Sequence, residues 1–68
     1  MTPERVLKNC KRAAKKSGLS YRDIGVRMSY PYESARQSVS QFLNGTNPSV
    51  EVLLRFAKAL NVDARDLL

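Results

Sequence analysis

Residues 19–45 read LSYRDIGVRMSYPYESARQSVSQFLNG, and this stretch decides the fold. Ser20, followed three residues later by Asp23, is typical of a helix start, because a hydroxyl there can accept a bond from a free backbone N–H group. We therefore expect a helix from residue 21 to about residue 28. Gly25 would weaken this helix in isolation, so it indicates that another helix packs closely against it.

A turn and a second helix complete this stretch. Pro31 keeps the residue before it out of the helical conformation, and the helical pattern resumes at residue 32 or 33. The new helix is expected to run to residue 43 and to end at Asn44 and Gly45. Two helices joined by a short turn make a helix-turn-helix, which we expect over about residues 20–45.

The segment before this stretch predicts a first helix with one basic side. Thr2 is expected to cap it, Pro3 suits its first position, and Gly18 suits the left-handed residue after its end, so the helix should span residues 3–17. Its apolar side chains fall on one side at helical spacing. The other side carries Arg5, Lys8, Lys11, Arg12, Lys15 and Lys16.

The segment after the stretch predicts two more helices. Ser49 is expected to cap a helix over residues 50–60, and Asp63 with Asp66 to open a short last helix that carries Leu67 and Leu68. The apolar stripe expected on the longer helix, with Phe56 beside it, is Val50, Leu53, Leu54, Ala57 and Leu60. The sequence therefore predicts an all-α protein, with residues 1–68 forming a single, compact five-helix domain.

Composition narrows the function. The 68 residues carry a formal net charge of +6, and residues 1–28 hold eight basic and two acidic side chains, whereas residues 29–68 hold four of each. The excess positive charge therefore belongs to the first two helices, which favours a polyanionic partner. With no histidine, one cysteine and no phosphate-binding or nucleophile motif, we expect no enzyme, metal or cofactor. Without an apolar leader, we expect a cytoplasmic location.

The outer side of the third helix carries side chains that match the edges of base pairs. Arginine pairs with guanine and glutamine with adenine in the major groove, and serine can serve either. We therefore interpret Arg36, Gln37, Ser38 and Gln41 as candidate base-reading residues in double-stranded DNA. The alternative is an ordinary solvent-facing helix surface.

Phosphate contacts are expected from the basic side of the first helix, including Lys15 and Lys16, and from the start of the second. Backbone N–H groups at Tyr21 and Arg22 begin that second helix, where anions are favoured. On a first helix alone, the lysines would indicate only a soluble surface. Together with a candidate recognition helix, they indicate DNA binding.

Three segments carry a family resemblance: LSYRDIGVRM, SVSQFLNG and NPSVEVLLRFAKALNVDARDLL. They resemble the Cro/CI-type, or Xre-like, helix-turn-helix domain of phage repressors and bacterial regulators. The resemblance implies a lambda-repressor-like bundle of five helices that binds operator DNA as a homodimer, with the third helix in the major groove. It places Arg36, Gln37 and Gln41 at base-reading positions. It also places phosphate contacts at Ser20, Tyr21, Gly45, Thr46 and Asn47.

Two features depart from that family pattern. The span from Leu19 to Gly45 is about four residues longer than usual, so either the turn is wider or the third helix begins a turn early. Its extra segment includes Tyr30 and Tyr32, which we interpret as packing over the turn rather than contacting the DNA backbone. An ion pair common in the family is replaced by two apolar residues, Ala14 and Leu43, which can pack without loss of stability.

The expected function is a transcriptional regulator, in particular a repressor, in the cytoplasm of a bacterium or acting for a phage, in association with the nucleoid. An antitoxin with the same DNA-binding core and an added protein partner is one alternative. A small helical adaptor that binds a protein through its last two helices is the other.

Overall fold

Four α-helices and one turn of 3-10 helix, in that order, make up the computed structural model, which describes residues 2–45 and 48–68. The α-helices are α1 (Pro3–Ser17), α2 (Tyr21–Arg27), α3 (Tyr32–Leu43) and α4 (Val50–Ala59), and the 3-10 turn is Ala64–Leu67. The all-α prediction is confirmed, with the 3-10 turn at the position expected for a fifth helix.

The predicted helix starts are confirmed. The hydroxyl of Thr2 accepts a bond from the backbone N–H three residues on, at 3.3 Å, and the hydroxyls of Ser20 and Ser49 do the same at 3.1 and 3.2 Å. These bonds supply partners for N–H groups that have no acceptor within their own helix. Gly18 ends α1 in the left-handed conformation, with φ of 74°.

The ends of α2 and α4 share one geometry. Ser29 follows α2 with φ of 72°, and the N–H of Tyr30 donates to the carbonyl of Gly25 at 3.0 Å. Asn61 follows α4 with φ of 56°, and the N–H of Val62 reaches back into the last turn at 3.0 Å. In this geometry a left-handed residue lets the next N–H bond a carbonyl that the helix leaves free.

The turn between α2 and α3 consists of residues 28–31. A helix-turn-helix usually has a turn of about three or four residues, so the turn here has an ordinary length. The extra residues therefore belong to α3, which has 12 residues and begins at Tyr32. Of the two alternatives that the sequence left open, the early start of the third helix is the one observed.

Close packing of α2 on α3 depends on Gly25. A Cβ atom at this position would lie 2.5 Å from the backbone oxygen of Ala35, too close for any side chain. The expected close approach of another helix is thereby confirmed, and it fixes how α3 projects from the domain.

The core lies between the four helices and the 3-10 turn. Its largest fully buried side chains are Phe56, Ile24, Met28, Leu43, Val6, Val39 and Cys10. Ala14 and Leu43, the apolar pair at the family's usual ion-pair positions, are both buried. Phe56 packs against the half-buried Phe42 with ring centroids 5.4 Å apart.

The predicted apolar stripe of α4 is confirmed for Leu53 and Ala57, which are buried, and wrong for two other residues. Val50 and Leu54 were expected to point inward, yet they are 71% and 54% exposed, while Phe56 is completely buried. An aromatic ring removes more apolar surface from water than a valine or leucine does, so Phe56 decides which side of α4 faces the core.

The 3-10 turn is fastened at both ends. A carboxylate oxygen of Asp63 accepts a bond from the backbone N–H of Arg65 at 2.9 Å. The side-chain amide of Asn9 in α1 donates to the carbonyl of Leu67 at 3.2 Å, and Leu67 itself is buried. The end of the described chain is thus bonded to the first helix.

Over residues 2–45 and 48–68, every helix is too short or too polar to span a bilayer.

Candidate nucleic-acid interface

One side of α3 carries a row of exposed polar side chains. Glu33, Gln37 and Gln41 are all exposed, and each follows the previous one by four residues. Residues at this spacing lie above one another on a helix, about 6 Å apart along its axis. The buried residues Ala35 and Val39 occupy the opposite side, so the row faces away from the core.

Arg36 and Ser38 lie on the two flanks of this row. Arg36 is exposed. Ser38 is half-buried and lines an open groove between α3 and the start of α4, together with Gln41 and Ser49. Of the four candidate base-reading residues, Arg36, Gln37 and Gln41 are therefore exposed, and Ser38 is exposed only in part.

The start of α2 lies against the start of α3. The guanidinium carbon of Arg22 sits 4.8 Å from the centroid of the Tyr32 ring, and its Nη1 donates to the Tyr32 hydroxyl at 3.4 Å. A cation over an aromatic face is attracted by the ring's negative centre, so this contact orients Arg22. The expected packing over the turn is found for Tyr30, which is half-buried against the core, and is wrong for Tyr32, which is 62% exposed.

Ser20 and Tyr21 complete this surface. The hydroxyl of Ser20 is occupied as the cap of α2, through its bond from the N–H of Asp23. Ser20 is nevertheless exposed, and Tyr21 is half-buried against the core.

The basic side of α1 adjoins this surface at one place and exposes further lysines in its last turn. Lys8 and Lys11 line an open groove together with Asn44 and Gly45, at the end of α3. Lys15 and Lys16 are exposed in the last turn of α1. Across residues 2–45 and 48–68 the ion pairs are those of Arg55 and Arg65, described below, so these four lysines keep their charge available to an external anion.

The two ion pairs lie in the second half of the chain. Arg55 contacts Glu51 at 3.0 Å, and Arg65 contacts Asp63 at 2.8 Å. Hydrogen bonds from the Arg65 guanidinium lower the pKa of the Asp63 carboxyl, and the bond from the backbone N–H of Arg65 lowers it further. Basic side chains in this half are therefore partly neutralised, in contrast to those of α1.

A family comparison covers nearly the whole chain. A family model described as helix-turn-helix matches residues 5–67. The chain belongs to the Cro/CI-type helix-turn-helix family. Proteins of this family are DNA-binding transcription regulators, and double-stranded DNA is their ligand. Comparisons with curated proteins and with solved structures gave no significant match.

In this Cro/CI-type domain, α2 and α3 are the two helices of the helix-turn-helix. The loop that follows α3 was expected to contact the DNA backbone through Gly45, Thr46 and Asn47. Gly45 is exposed beside Lys8 and Lys11. Thr46 and Asn47 lie outside the described residues.

The sequence alone did not single out several residues of this candidate DNA-binding surface of the Cro/CI-type domain. Lys8 and Lys11 were grouped with the basic side of α1, and helical spacing carries no signal for which of its lysines adjoin Gly45. The stacking of Arg22 on Tyr32 joins two different helices, so no local pattern reveals it. Glu33 could have been found from its spacing of four residues before Gln37.

Cys10 does not contribute to this surface. It is completely buried among apolar side chains, and burial raises the pKa of its thiol to about 11. The thiol is therefore neutral at physiological pH and acts as a small core residue, as the sequence indicated.

Proposed function

We propose that this protein is a sequence-specific transcriptional repressor that places α3 in the major groove of its operator, with Arg36, Gln37 and Gln41 reading bases. The observation that carries the proposal is the pair of exposed, uncharged amides on α3, Gln37 and Gln41. Solvent-facing helices usually rely on lysine and glutamate for solubility. A side-chain amide, in contrast, can accept one hydrogen bond from adenine and donate another to it.

The base contacts follow from the chemistry of each side chain. Arg36 suits guanine through two parallel bonds, and Gln37 and Gln41 suit adenine. Each such pair is worth about 1–3 kcal/mol of discrimination against the wrong base. Ser38 is half-buried, so its contribution to base reading is secondary.

Phosphate contacts surround this row in the proposed complex. Tyr32 holds Arg22 beside the first turn of α3. From there Arg22 can reach the DNA backbone at the edge of the groove that α3 enters. Ser20 and Tyr21 on one side, and Gly45, Thr46 and Asn47 on the other, are proposed to contact phosphates as in the family pattern. Lys15 and Lys16 add attraction without sequence preference.

A homodimer is part of this proposal. One recognition helix reads only a few base pairs, so two copies on a palindromic site give the specificity that a repressor needs. The two half-sites are then expected about 34 Å, or one helical turn of DNA, apart. The regulator is proposed to act in the cytoplasm of a bacterium or on behalf of a phage.

Selection of bound duplexes from a random pool at physiological salt tests the proposal. The expected result is an enriched palindrome with half-sites about one helical turn apart. The double variant Arg36→Ala, Gln37→Ala is expected to lose preference among sequences but to keep weak binding to any duplex. The matched control, Lys15→Ala with Lys16→Ala, is expected to weaken binding to all duplexes alike.

Two outcomes would contradict the proposal. Equal losses on the selected and on random duplexes for the Arg36 and Gln37 variant would remove the base-reading role. Enrichment of no sequence, with little dependence of any binding on salt, would favour a protein adaptor instead. An antitoxin would still select a sequence, and it would differ by forming a stable complex with a partner protein.

A further inference from the structure

The first turn of α3 carries a carboxylate in line with the proposed base-reading residues. Glu33 is exposed and stands one turn before Gln37 on the same side of the helix. It exists in this position because α3 begins at Tyr32, a full turn before Arg36. In a helix docked in the major groove, the residues near the N-terminus contact base edges, which places Glu33 among the first to enter.

Glu33 has no ion-pair partner among residues 2–45 and 48–68. Arg36 lies three residues later, at a spacing that permits a pair on a helix, yet the pairs observed are those of Arg55 and Arg65. Arg22, a second cation near this turn, is bonded to Tyr32. The carboxylate oxygens of Glu33 are therefore available to an external donor.

A carboxylate on a surface that approaches DNA is repelled by phosphates, so it lowers affinity unless a donor in the groove meets it. The exocyclic amine N4 of cytosine is such a donor in the major groove, and glutamate is among the side chains that accept from it. Base pairs follow one another every 3.4 Å, whereas Glu33 and Gln37 are about 6 Å apart along the helix.

We propose that Glu33 accepts a hydrogen bond from the N4 amine of a cytosine one or two base pairs from the base that Gln37 reads. This inference rests on the proposed function and deepens it, because it names the base at one position of the operator. It also gives the early start of α3 a role. The extra turn adds Glu33 to the base-reading residues Gln37 and Gln41 on the same side of the helix.

A purely structural role for Glu33 makes a different prediction. An acidic residue in the first turn stabilises a helix through its dipole, and Pro31 provides α3 with no side-chain cap. A role limited to helix stability would lower the melting temperature on substitution without changing base preference. Glu33→Asp separates the two roles, because aspartate keeps the charge in the first turn but shortens its reach.

The experiment measures binding of wild type, Glu33→Ala, Glu33→Asp and Glu33→Gln to the selected duplex and to its single-base variants. Wild type is expected to prefer cytosine at one position by about 5- to 150-fold, the range of one specific base contact. Glu33→Ala should lose that preference alone and bind random duplexes more tightly. Glu33→Gln should shift it toward adenine, and Glu33→Asp should weaken it while keeping the melting temperature.

The outcomes distinguish this inference from the function on which it rests. If Glu33→Ala keeps every base preference of wild type while Gln37→Ala loses one, the role of Glu33 is overturned and the repressor proposal stands. If wild type selects no sequence, both are overturned. Thermal unfolding of each variant confirms that the compared proteins are folded.

Discussion

Gly25 is the residue that sets the distance between the two helices of the helix-turn-helix. Its hydrogen atom faces the backbone of Ala35, and a methyl group there would meet the oxygen, the carbonyl carbon and the Cβ atom of that residue. Backbone atoms cannot move aside as a flexible side chain can, so any substitution must push α3 away from α2. The direction in which Gln37 and Gln41 project depends on this one missing side chain.

Gly25→Ala is expected to destabilise the fold by about 2–3 kcal/mol, in the upper part of the range for overpacked cores, and to weaken binding to the selected duplex because α3 moves. Urea unfolding and a binding titration measure the two effects. Gly18→Ala is the matched control. Its Cβ would meet open space, so only the left-handed φ is strained, at about 1–2 kcal/mol, and DNA affinity should be unchanged. Equal effects from both variants would contradict this account.

Cys10 is expected to make the stability of the domain fall at alkaline pH. Burial raises the pKa of its thiol from 9.0 to about 11, so the unfolded chain ionises first as pH rises. The free energy of unfolding therefore keeps its full value below pH 9. It falls between about pH 9 and pH 11, by up to roughly 2–3 kcal/mol.

The comparison of wild type with Cys10→Ala tests this dependence. Urea unfolding at pH 8 and at pH 10.5 should show a larger loss of stability in wild type than in the variant, because only wild type carries the buried thiol. A loss of the same size in the two proteins would mean that the Cys10 thiol does not cause it.

Helix ends in this domain are determined mostly by residues close to them in sequence. The end of α2 includes a residue with a strained backbone conformation. Serine is unusual in the left-handed conformation, yet Ser29 adopts it to close α2 and to start the turn toward α3. Asn61 closes α4 in the same way with a residue type that tolerates this conformation.

Ser29→Gly is therefore expected to stabilise the domain by up to about 1 kcal/mol, because glycine removes the steric cost of a left-handed residue. Asn61→Gly, its matched control, should change stability by less, since asparagine is strained less there. Thermal unfolding of both variants measures the difference. A loss of stability in Ser29→Gly that exceeds the change in Asn61→Gly would refute the argument.

The same contrast explains what could be predicted from the sequence. Caps such as Ser20 and Ser49 act within three residues, so the helix starts follow from local patterns. The orientation of α4 does not, because it depends on how Phe56 packs against Phe42 of another helix. For the site, the exposure of Gln37 and Gln41 followed from helical spacing. The contact of Arg22 with Tyr32 did not, since it requires α2 and α3 to be placed relative to each other.

Charge is distributed unevenly over the whole molecule. The net positive charge belongs to residues 1–28, and Lys8 and Lys11 bring part of it to the end of α3 beside Gly45. Arg55 and Arg65 are paired with acidic residues of their own. Lys8 and Lys11 therefore attract an approaching polyanion to the end of α3 before any base is contacted.

Lys8→Gln with Lys11→Gln is expected to reduce the salt dependence of duplex binding by about two phosphate contacts, each worth about −0.9 in the slope of log affinity against log salt. Arg55→Gln with Arg65→Gln removes the same charge from the other half and should leave the slope nearly unchanged. Binding titrations from low to physiological salt give both slopes. Equal reductions would show that net charge alone, rather than its placement, controls binding.

The hydrogen bond from Asn9 to the carbonyl of Leu67 joins positions 58 residues apart. Closing so long a loop gains nothing until the intervening helices have formed, so we expect the 3-10 turn to dock last and to detach first. Native-state hydrogen exchange should therefore show the amide of Asp66, bonded within this turn at 2.9 Å, opening at a lower free energy than amides in α3. Equal protection at the two sites would rule this out. If the 3-10 turn does open first, the domain carries its recognition surface on helices that stay folded while the 3-10 turn opens and closes.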